Sequence, residues 1–195
     1  MELSYDEVVV RGVYGEGRDR LISATIEVVA ERGLRGLTFR SVSERAGVSN
    51  TLVARHFGTR EALLAAATDW AVERSIKSTG LLELGAGDEF ADSLLDFIAE
   101  TPELQAFQYE MILEARRNPT FRAPVERLYA RYQEVFISSL QGAGVTDRSG
   151  AVARRTFASL DGIVLQYLAG VEVGALREAL HDVWESLQIY TPNHR

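Results

Sequence analysis

Apolar residues between positions 18 and 57 recur at the three- and four-residue spacing of amphipathic helices. A first helix is predicted from Arg18 to Arg32, with an inner face made of Ile22, Ile26 and Val29. Two short helices are predicted next, capped by Thr38 and Ser49 and separated by a tight turn at Gly47. Helices this short are not stable alone, so the three must share one core. Two short helices around a glycine turn are the helix-turn-helix pattern.

The positions left outside this core are mostly polar or basic. The candidates for contact with phosphates or base edges are Thr38, Arg40, Ser49, Asn50, Thr51, Leu52, Arg55, His56 and Arg60. Guanidinium, amide and hydroxyl groups are the side chains that bind DNA phosphates and bases. We expect Asn50, Thr51 and Leu52 to face bases, and the basic members of the set to position the DNA backbone.

The rest of the chain also shows helical periodicity. A helix capped by Thr59 is predicted over 60–78 and connects the N-terminal module to the remainder. A loop is predicted at 81–89, and further helices are predicted at 90–98, at 101–118, in the segment ending at Gly142, at about 147–170 and at about 173–189. No segment shows strand-like alternation bounded by turn signals. The predicted fold class is therefore all-α.

The two C-terminal helices carry more apolar surface than one packing face requires. Their apolar positions are candidates for a subunit interface: Leu160, Val164, Tyr167, Leu168, Leu176, Leu180, Val183, Trp184 and Leu187. Two such helices from each of two subunits can form a four-helix interface. The same pattern also fits an ordinary intramolecular core.

Charge is distributed unevenly along the chain, whose net charge is -7. Residues 18–60 contain eight Arg against four acidic residues, a local net charge of +4. Residues 1–17 have one Arg against four acids, and residues 61–195 have twelve basic and twenty acidic groups. Salt screens exposed charges beyond about 8 Å. A basic module can therefore bind DNA while an acidic body stays away from it.

The composition argues against several other functions. The chain has no Cys, which removes thiol catalysis, disulfides and Cys-based zinc sites. Its three His are not at metal-ligand spacing, and no nucleophile-elbow or phosphate-loop motif occurs. We therefore expect no metal, no cofactor and no enzymatic activity. Because the sequence lacks a long apolar run and a signal segment, the expected location is the cytoplasm, with no membrane partner.

The segment GLRGLTFRSVSERAGVSNTLVARHFGTREALL resembles the DNA-binding domain of the tetracycline-repressor (TetR) family of bacterial transcriptional regulators. The positions that carry the resemblance are Gly36, Thr38, Arg40, Val42, Ala46, Gly47, Val48, Ser49, His56, Phe57, Arg60, Glu61, Leu63 and Leu64. The family usually has Lys at position 60, and often has at position 54 a Tyr that contacts phosphate. Ala54 cannot make that contact, so binding to the DNA backbone must rely on Arg55, His56 or Arg60.

This resemblance implies a two-part architecture. A flexible arm would occupy residues 1–17 and a helix-turn-helix DNA-binding domain residues 18–60. A helical ligand-binding and dimerisation domain would occupy residues 61–195, with 61–78 as the connecting helix. The resemblance also implies a small-molecule pocket among the middle helices, with the candidates Phe97, Phe107, Gln108, Met111, Tyr132 and Asp161.

These observations lead to the hypothesis of a homodimeric, sequence-specific transcriptional regulator. It is expected to be a repressor that leaves a palindromic operator in double-stranded DNA when a small molecule binds. Two alternatives stay open at this point: an all-α protein-interaction module with a basic patch, and a helical enzyme that acts on a small molecule.

Overall fold

The computed structural model describes residues 5–79 and 87–191, and within these ranges every regular element is helical. The α-helices are α1 (Tyr5–Arg32), α2 (Phe39–Ala46), α3 (Asn50–Phe57), α4 (Arg60–Ser78), α5 (Gly87–Glu100), α6 (Pro102–Arg117), α7 (Arg122–Gly142), α8 (Ala151–Leu168) and α9 (Val173–Leu187). Short 3-10 turns lie at Leu34–Gly36, Pro119–Phe121 and Gln188–Tyr190. The predicted all-α fold class is confirmed. No helix in the described ranges combines the length and apolar character needed to cross a bilayer.

Several element boundaries differ from those predicted. Helix α1 begins at Tyr5, so the predicted start at Arg18 is wrong and residues 5–17 are helical. Glycines in this segment weaken its helical signal in the sequence. Helix α8 begins at Ala151, after the left-handed Gly150, rather than at 147. Residues 1–4 of the predicted arm and residues 81–86 of the predicted loop lie outside the described residues, and the last three loop positions belong to α5.

The first three helices pack as the sequence predicts. Ile22, Val42 and Val53, one from each helix, are completely buried in a common core. Thr38 caps α2 by accepting a hydrogen bond from the backbone N–H of Ser41 at 3.0 Å, and the Ser41 hydroxyl accepts in return from the Thr38 N–H at 2.9 Å. Gly47 adopts φ 67° at the end of α2, a conformation that strongly favours glycine. This turn sets the direction in which α3 leaves the core.

Helix α6 attaches this N-terminal module to the rest of the molecule. It packs along α1, and its residues Leu104, Phe107 and Met111 are buried in the same core as Ile22 and Val53. A second core is built from α4, α5, α7, α8 and α9. The module is therefore held by α6 as well as by the connecting helix α4.

Five of the nine residues predicted to form a subunit interface are buried within their own subunit. They are Leu160, Val164, Leu176, Leu180 and Leu187, each less than a tenth exposed and part of the second core. Their contacts are already made inside the chain, so the prediction is wrong for these five. Tyr167, Leu168, Val183 and Trp184 are half-buried.

Arg60, predicted to contact the DNA backbone, makes hydrogen bonds within the protein. From the first turn of α4 its guanidinium donates hydrogen bonds to the carbonyl oxygen of Leu34 and, at 3.2 Å, to that of Leu37. These carbonyls belong to the turn that joins α1 to α2, where that of Leu34 also accepts from the backbone N–H of Leu37 at 3.3 Å. Arg60 thus ties α4 to the module.

We expect Arg60→Ala to lower the free energy of unfolding by about 1–3 kcal/mol, because charge-assisted hydrogen bonds to two backbone carbonyls are lost. Urea denaturation followed by circular dichroism measures the change. The matched control is Arg40→Ala, which removes an exposed ion pair with Glu44 and should change the stability by at most about 0.5 kcal/mol. Equal effects of the two substitutions would contradict this role of Arg60.

Candidate nucleic-acid interface and ligand cavity

Helix α3 presents a polar face to solvent. Asn50, Thr51, Ala54 and Arg55 are exposed, while Val53 on the inner face is completely buried. Leu52, predicted as a base contact, is half-buried and packs against the core of the module. The side chains free to reach into a groove are therefore Asn50, Thr51 and Arg55.

Two basic side chains near this face are engaged in ion pairs. Arg45 pairs with both Glu27 (3.1 Å) and Glu31 of α1, which holds α2 against α1. Arg40 is exposed but pairs with Glu44 at 2.8 Å. Arg55 forms no ion pair with any residue in the described part of the chain. Arg55 is thus the basic group of α3 whose charge is available to a phosphate.

The remaining predicted contacts differ in their availability. The Thr38 hydroxyl is used as a helix cap, whereas the hydroxyl of Ser49, at the start of α3, makes no capping hydrogen bond. His56 is half-buried, and burial, together with the positive charges of Arg55 and Arg18, lowers the pKa of its imidazole. The lowered pKa favours the neutral form of the His56 imidazole.

A cavity of about 70 Å³ lies among α4, α5, α6, α7 and α8. The cavity is lined by Ser75, Thr79, Phe90, Leu94, Phe97, Gln105, Gln108, Tyr109, Ile112, Leu128, Tyr129, Tyr132, Phe136, Phe157, Leu160, Asp161 and Val164. Most of these side chains are apolar or aromatic, and a few polar groups lie among them.

Four of the six predicted pocket residues line this cavity: Phe97, Gln108, Tyr132 and Asp161. Phe107 and Met111 do not, because they point from a neighbouring face of α6 into the core shared with α1. Sequence reasoning missed Tyr109 and Phe157 as pocket residues. The signal was present in α8, where Phe157 is four residues before Asp161 and so falls on the same helical face.

A hydrogen-bonded network of buried polar side chains forms part of the cavity wall. The Gln108 amide donates to the Ser75 hydroxyl at 3.2 Å and to the Gln105 amide oxygen at 3.3 Å. The Tyr132 hydroxyl donates to the Gln108 amide oxygen at 3.0 Å. Burial raises the pKa of Tyr132 to about 12, so its hydroxyl stays protonated. The network connects α4, α6 and α7 at the cavity.

Asp161 and Tyr109 form a second polar pair in the cavity. The Tyr109 hydroxyl lies 2.8 Å from Asp161 Oδ1 and 2.7 Å from the Asp161 carbonyl oxygen. Burial raises the pKa of the Asp161 carboxyl group, and the hydrogen bond from Tyr109 opposes this shift. No arginine pairs with Asp161 among the described residues, so the ion pair considered from the sequence does not form.

Comparison with known proteins identifies the family to which this chain belongs. Residues 85–186, a little over half of the chain, match the family described as tetracyclin repressor-like, C-terminal domain. Residues 21–67 match the family described as bacterial regulatory proteins, tetR family. The chain belongs to the TetR family. It is a DNA-binding transcriptional regulator, which disfavours the interaction module and the enzyme that the sequence left open.

Individual relatives agree with this assignment. The HTH-type transcriptional regulator CymR of Pseudomonas putida is 26% identical over 162 residues, which span 78% of this chain and 80% of CymR. A TetR-family member from Streptomyces coelicolor A3 superimposes with a TM-score of 0.68 and 29% identity, over 86% of this chain and 98% of that one. The multidrug binding protein EbrR, in complex with proflavin, gives a TM-score of 0.58 and 26% identity over 86% and 99%.

We expect Asp161→Asn to raise the melting temperature of the TetR-family protein by a few degrees at pH 7.5. A carboxyl group whose folded-state pKa is raised destabilises the folded protein above that pKa, because the charged form is disfavoured by burial. The penalty is absent below the ordinary pKa of 3.8, grows as pH rises from there to the folded-state pKa, and is constant above it. Asn keeps an oxygen that can accept from Tyr109 but carries no charge.

Thermal unfolding followed by circular dichroism at pH 7.5 and at pH 4 measures this effect. The gain from Asn should be smaller at pH 4 than at pH 7.5. An equal gain at both pH values, or a loss at pH 7.5, would show that burial does not oppose ionisation of Asp161.

Proposed function

We propose that this regulator is a homodimeric repressor whose two α3 helices enter successive major grooves of a palindromic operator. Recognition helices of a helix-turn-helix dimer bind half-sites about 34 Å apart, one turn of DNA. The exposed polar face of α3 is the observation that carries this proposal. It combines a free guanidinium, an amide and hydroxyl groups on one short, well-packed helix.

The side chains of this face divide into two roles. Arg55 and Ser49 bind phosphates, because Arg55 has a free charge and Ser49 an unused hydroxyl next to the N–H groups at the start of α3. Asn50 and Thr51 contact base edges, since an amide can form two hydrogen bonds with adenine and Thr can bind several bases. Arg60 is not among these contacts because its guanidinium holds the module together.

The proposed subunit interface is an exposed stripe on α8. Ala158, Gly162 and Leu165 of α8, and Ala169 directly after its last residue, follow one another at spacings of four, three and four, which places them on one helical face. Leu165 is 52% exposed, a large value for a leucine, and a Cβ added at Gly162 would meet no atom within 4 Å. Small side chains around one leucine allow two α8 helices to approach closely. The exposed Val171 and Val173 extend the apolar surface toward α9.

The cavity is the proposed effector site, and α6 connects it to the DNA-binding module. Gln108 and Ile112 face the cavity, while Phe107 and Met111, one position away in each case, pack against α1. Movement of α6 on ligand binding is therefore transmitted directly to α1. The Gln108–Ser75 hydrogen bond links α6 to α4, whose tilt changes the distance between the two α3 helices. The proflavin bound by EbrR supports an effector site in a protein of this fold.

We expect Arg55→Ala to weaken operator binding and to reduce its salt dependence. Each lost phosphate contact lowers the slope of log K against log salt by about 0.9, so the dimer should lose about 2. The measurement is fluorescence anisotropy of a labelled operator between low and physiological salt. The matched control is Arg148→Ala, the same change at an exposed position between α7 and α8. A slope that is identical in the wild type and Arg55→Ala would contradict a phosphate contact.

Leu165→Glu should convert the dimer to a monomer, because it places two buried charges at the centre of the proposed interface. Operator affinity should fall with it, since a single module loses half of its contacts. Native mass spectrometry measures the subunit number. The control is Leu113→Glu on α6, where the leucine is 55% exposed and outside the stripe. If Leu165→Glu remained dimeric, the interface would lie elsewhere.

A further inference from the structure

The described side chains that line the cavity include an acidic group but no basic group. Of its seventeen described lining residues, Asp161 is the only acidic one, and none is Lys, Arg or His. The polar groups elsewhere in the lining are neutral hydroxyls and amides. A bound anion would meet no positive charge from these residues and would be repelled by the Asp161 carboxylate. The described lining therefore disfavours anionic ligands.

The carboxylate of Asp161 has unused hydrogen-bonding capacity, and no residue in the described part of the chain forms an ion pair with it. Its Oδ1 accepts one hydrogen bond from Tyr109, and a carboxylate offers about four lone-pair positions. A partly buried carboxylate without a counter-charge is unfavourable. A positive charge placed beside it would remove that penalty, whereas an uncharged ligand would leave it.

Aromatic rings surround the same region of the cavity. The Phe157 ring is stacked on Tyr132 with centroids 4.9 Å apart and lies 5.4 Å from Phe136 and 6.0 Å from Tyr129. Phe157 lies one helical turn before Asp161 on α8. Faces of Tyr and Phe rings attract cations within about 6 Å of their centroids. Aromatic rings and one carboxylate lining the same cavity are an arrangement suited to an ammonium group carrying apolar substituents.

We propose that the cavity binds a hydrophobic organic cation, an ammonium compound whose charge lies against Asp161 and whose apolar part packs on the aromatic rings. This inference rests on the proposed function of the cavity as the effector site. It assigns Asp161 as the residue that determines the charge of the ligand. Tyr109 is a positioning residue, because its hydroxyl holds the carboxylate from the α6 side. A cation bound there contacts both α8 and the helix that packs on the DNA-binding module.

The test uses two probes of the same shape that differ in charge. They are (meta-hydroxyphenyl)trimethylammonium and its uncharged carbon counterpart, meta-tert-butylphenol. Isothermal titration calorimetry of the full-length protein at pH 7.5 measures their affinities directly, without DNA. The variants are Asp161→Asn and, as a control, Asp96→Asn, which removes the same charge from an exposed position of α5 outside the cavity lining.

The wild type and Asp96→Asn should bind the cation at least about tenfold more tightly than the phenol, a factor that corresponds to about 1.4 kcal/mol. Asp161→Asn should lose this preference through weaker binding of the cation, with the affinity for the phenol changed by no more than about twofold. Equal affinity of the wild type for both probes, a preference retained in Asp161→Asn, or no binding of either probe would overturn the proposal.

Failure of this inference can be distinguished from failure of the proposed function. Operator affinity of the wild type without any ligand is measured on the same protein preparation. If operator binding is intact while the preference for the cation is missing, only the charge of the ligand has been assigned wrongly. If purified protein fails to bind any palindromic duplex, the proposed function fails, whatever calorimetry finds.

Discussion

Helix α6 must bury two neighbouring faces at the same time, and the rest of the molecule is arranged around this constraint. Phe107 and Met111 are completely buried against the N-terminal module, while Gln108 and Ile112 line the cavity. A helix moves as a rigid body, so neither face can shift without the other. A ligand that prefers one position of α6 must therefore favour one position of α1, provided that it binds the two states with different affinities. The constraint joins the cavity to α1, which shares a core with α3.

Internal ion pairs and hydrogen bonds leave fewer arginines available to bind DNA than the sequence alone indicates. The module has a local excess of arginine, but the structure uses Arg45 and Arg60 to hold helices together and pairs Arg40 with Glu44. Arg55 remains available on α3. The described part of the cavity lining also contains one charge and no opposite charge. Asp161 is the acidic group among the described lining residues, and none of those residues is basic. Arg55 and Asp161 thus both lack an ion-pair partner among the described residues, and both are proposed to bind a partner molecule.

Local signals in the sequence predicted local structure well. The capping role of Thr38, the turn at Gly47 and the bounds of α4 were correct, because each depends on a few adjacent residues. Helical periodicity also identified Leu176 and Phe107 as buried, but it could not identify the elements against which they pack. Leu176 packs inside its own subunit rather than on a partner, and Phe107 faces α1 rather than the cavity. The element that a buried helix face contacts depends on the packing angles between several helices. These angles cannot be predicted from the sequence of one segment.

The most direct test of the account is the operator affinity of the full-length protein when its cavity is occupied. A palindromic duplex selected by the protein from random DNA provides the operator, and calorimetry sets the saturating concentration of (meta-hydroxyphenyl)trimethylammonium. Coupling between the two sites is reciprocal, so the operator should also weaken binding of the cation by the same factor. The account predicts at least about a fivefold loss of operator affinity at saturation, a typical size for such coupling. Operator affinity that is unchanged while the cavity is saturated would contradict it.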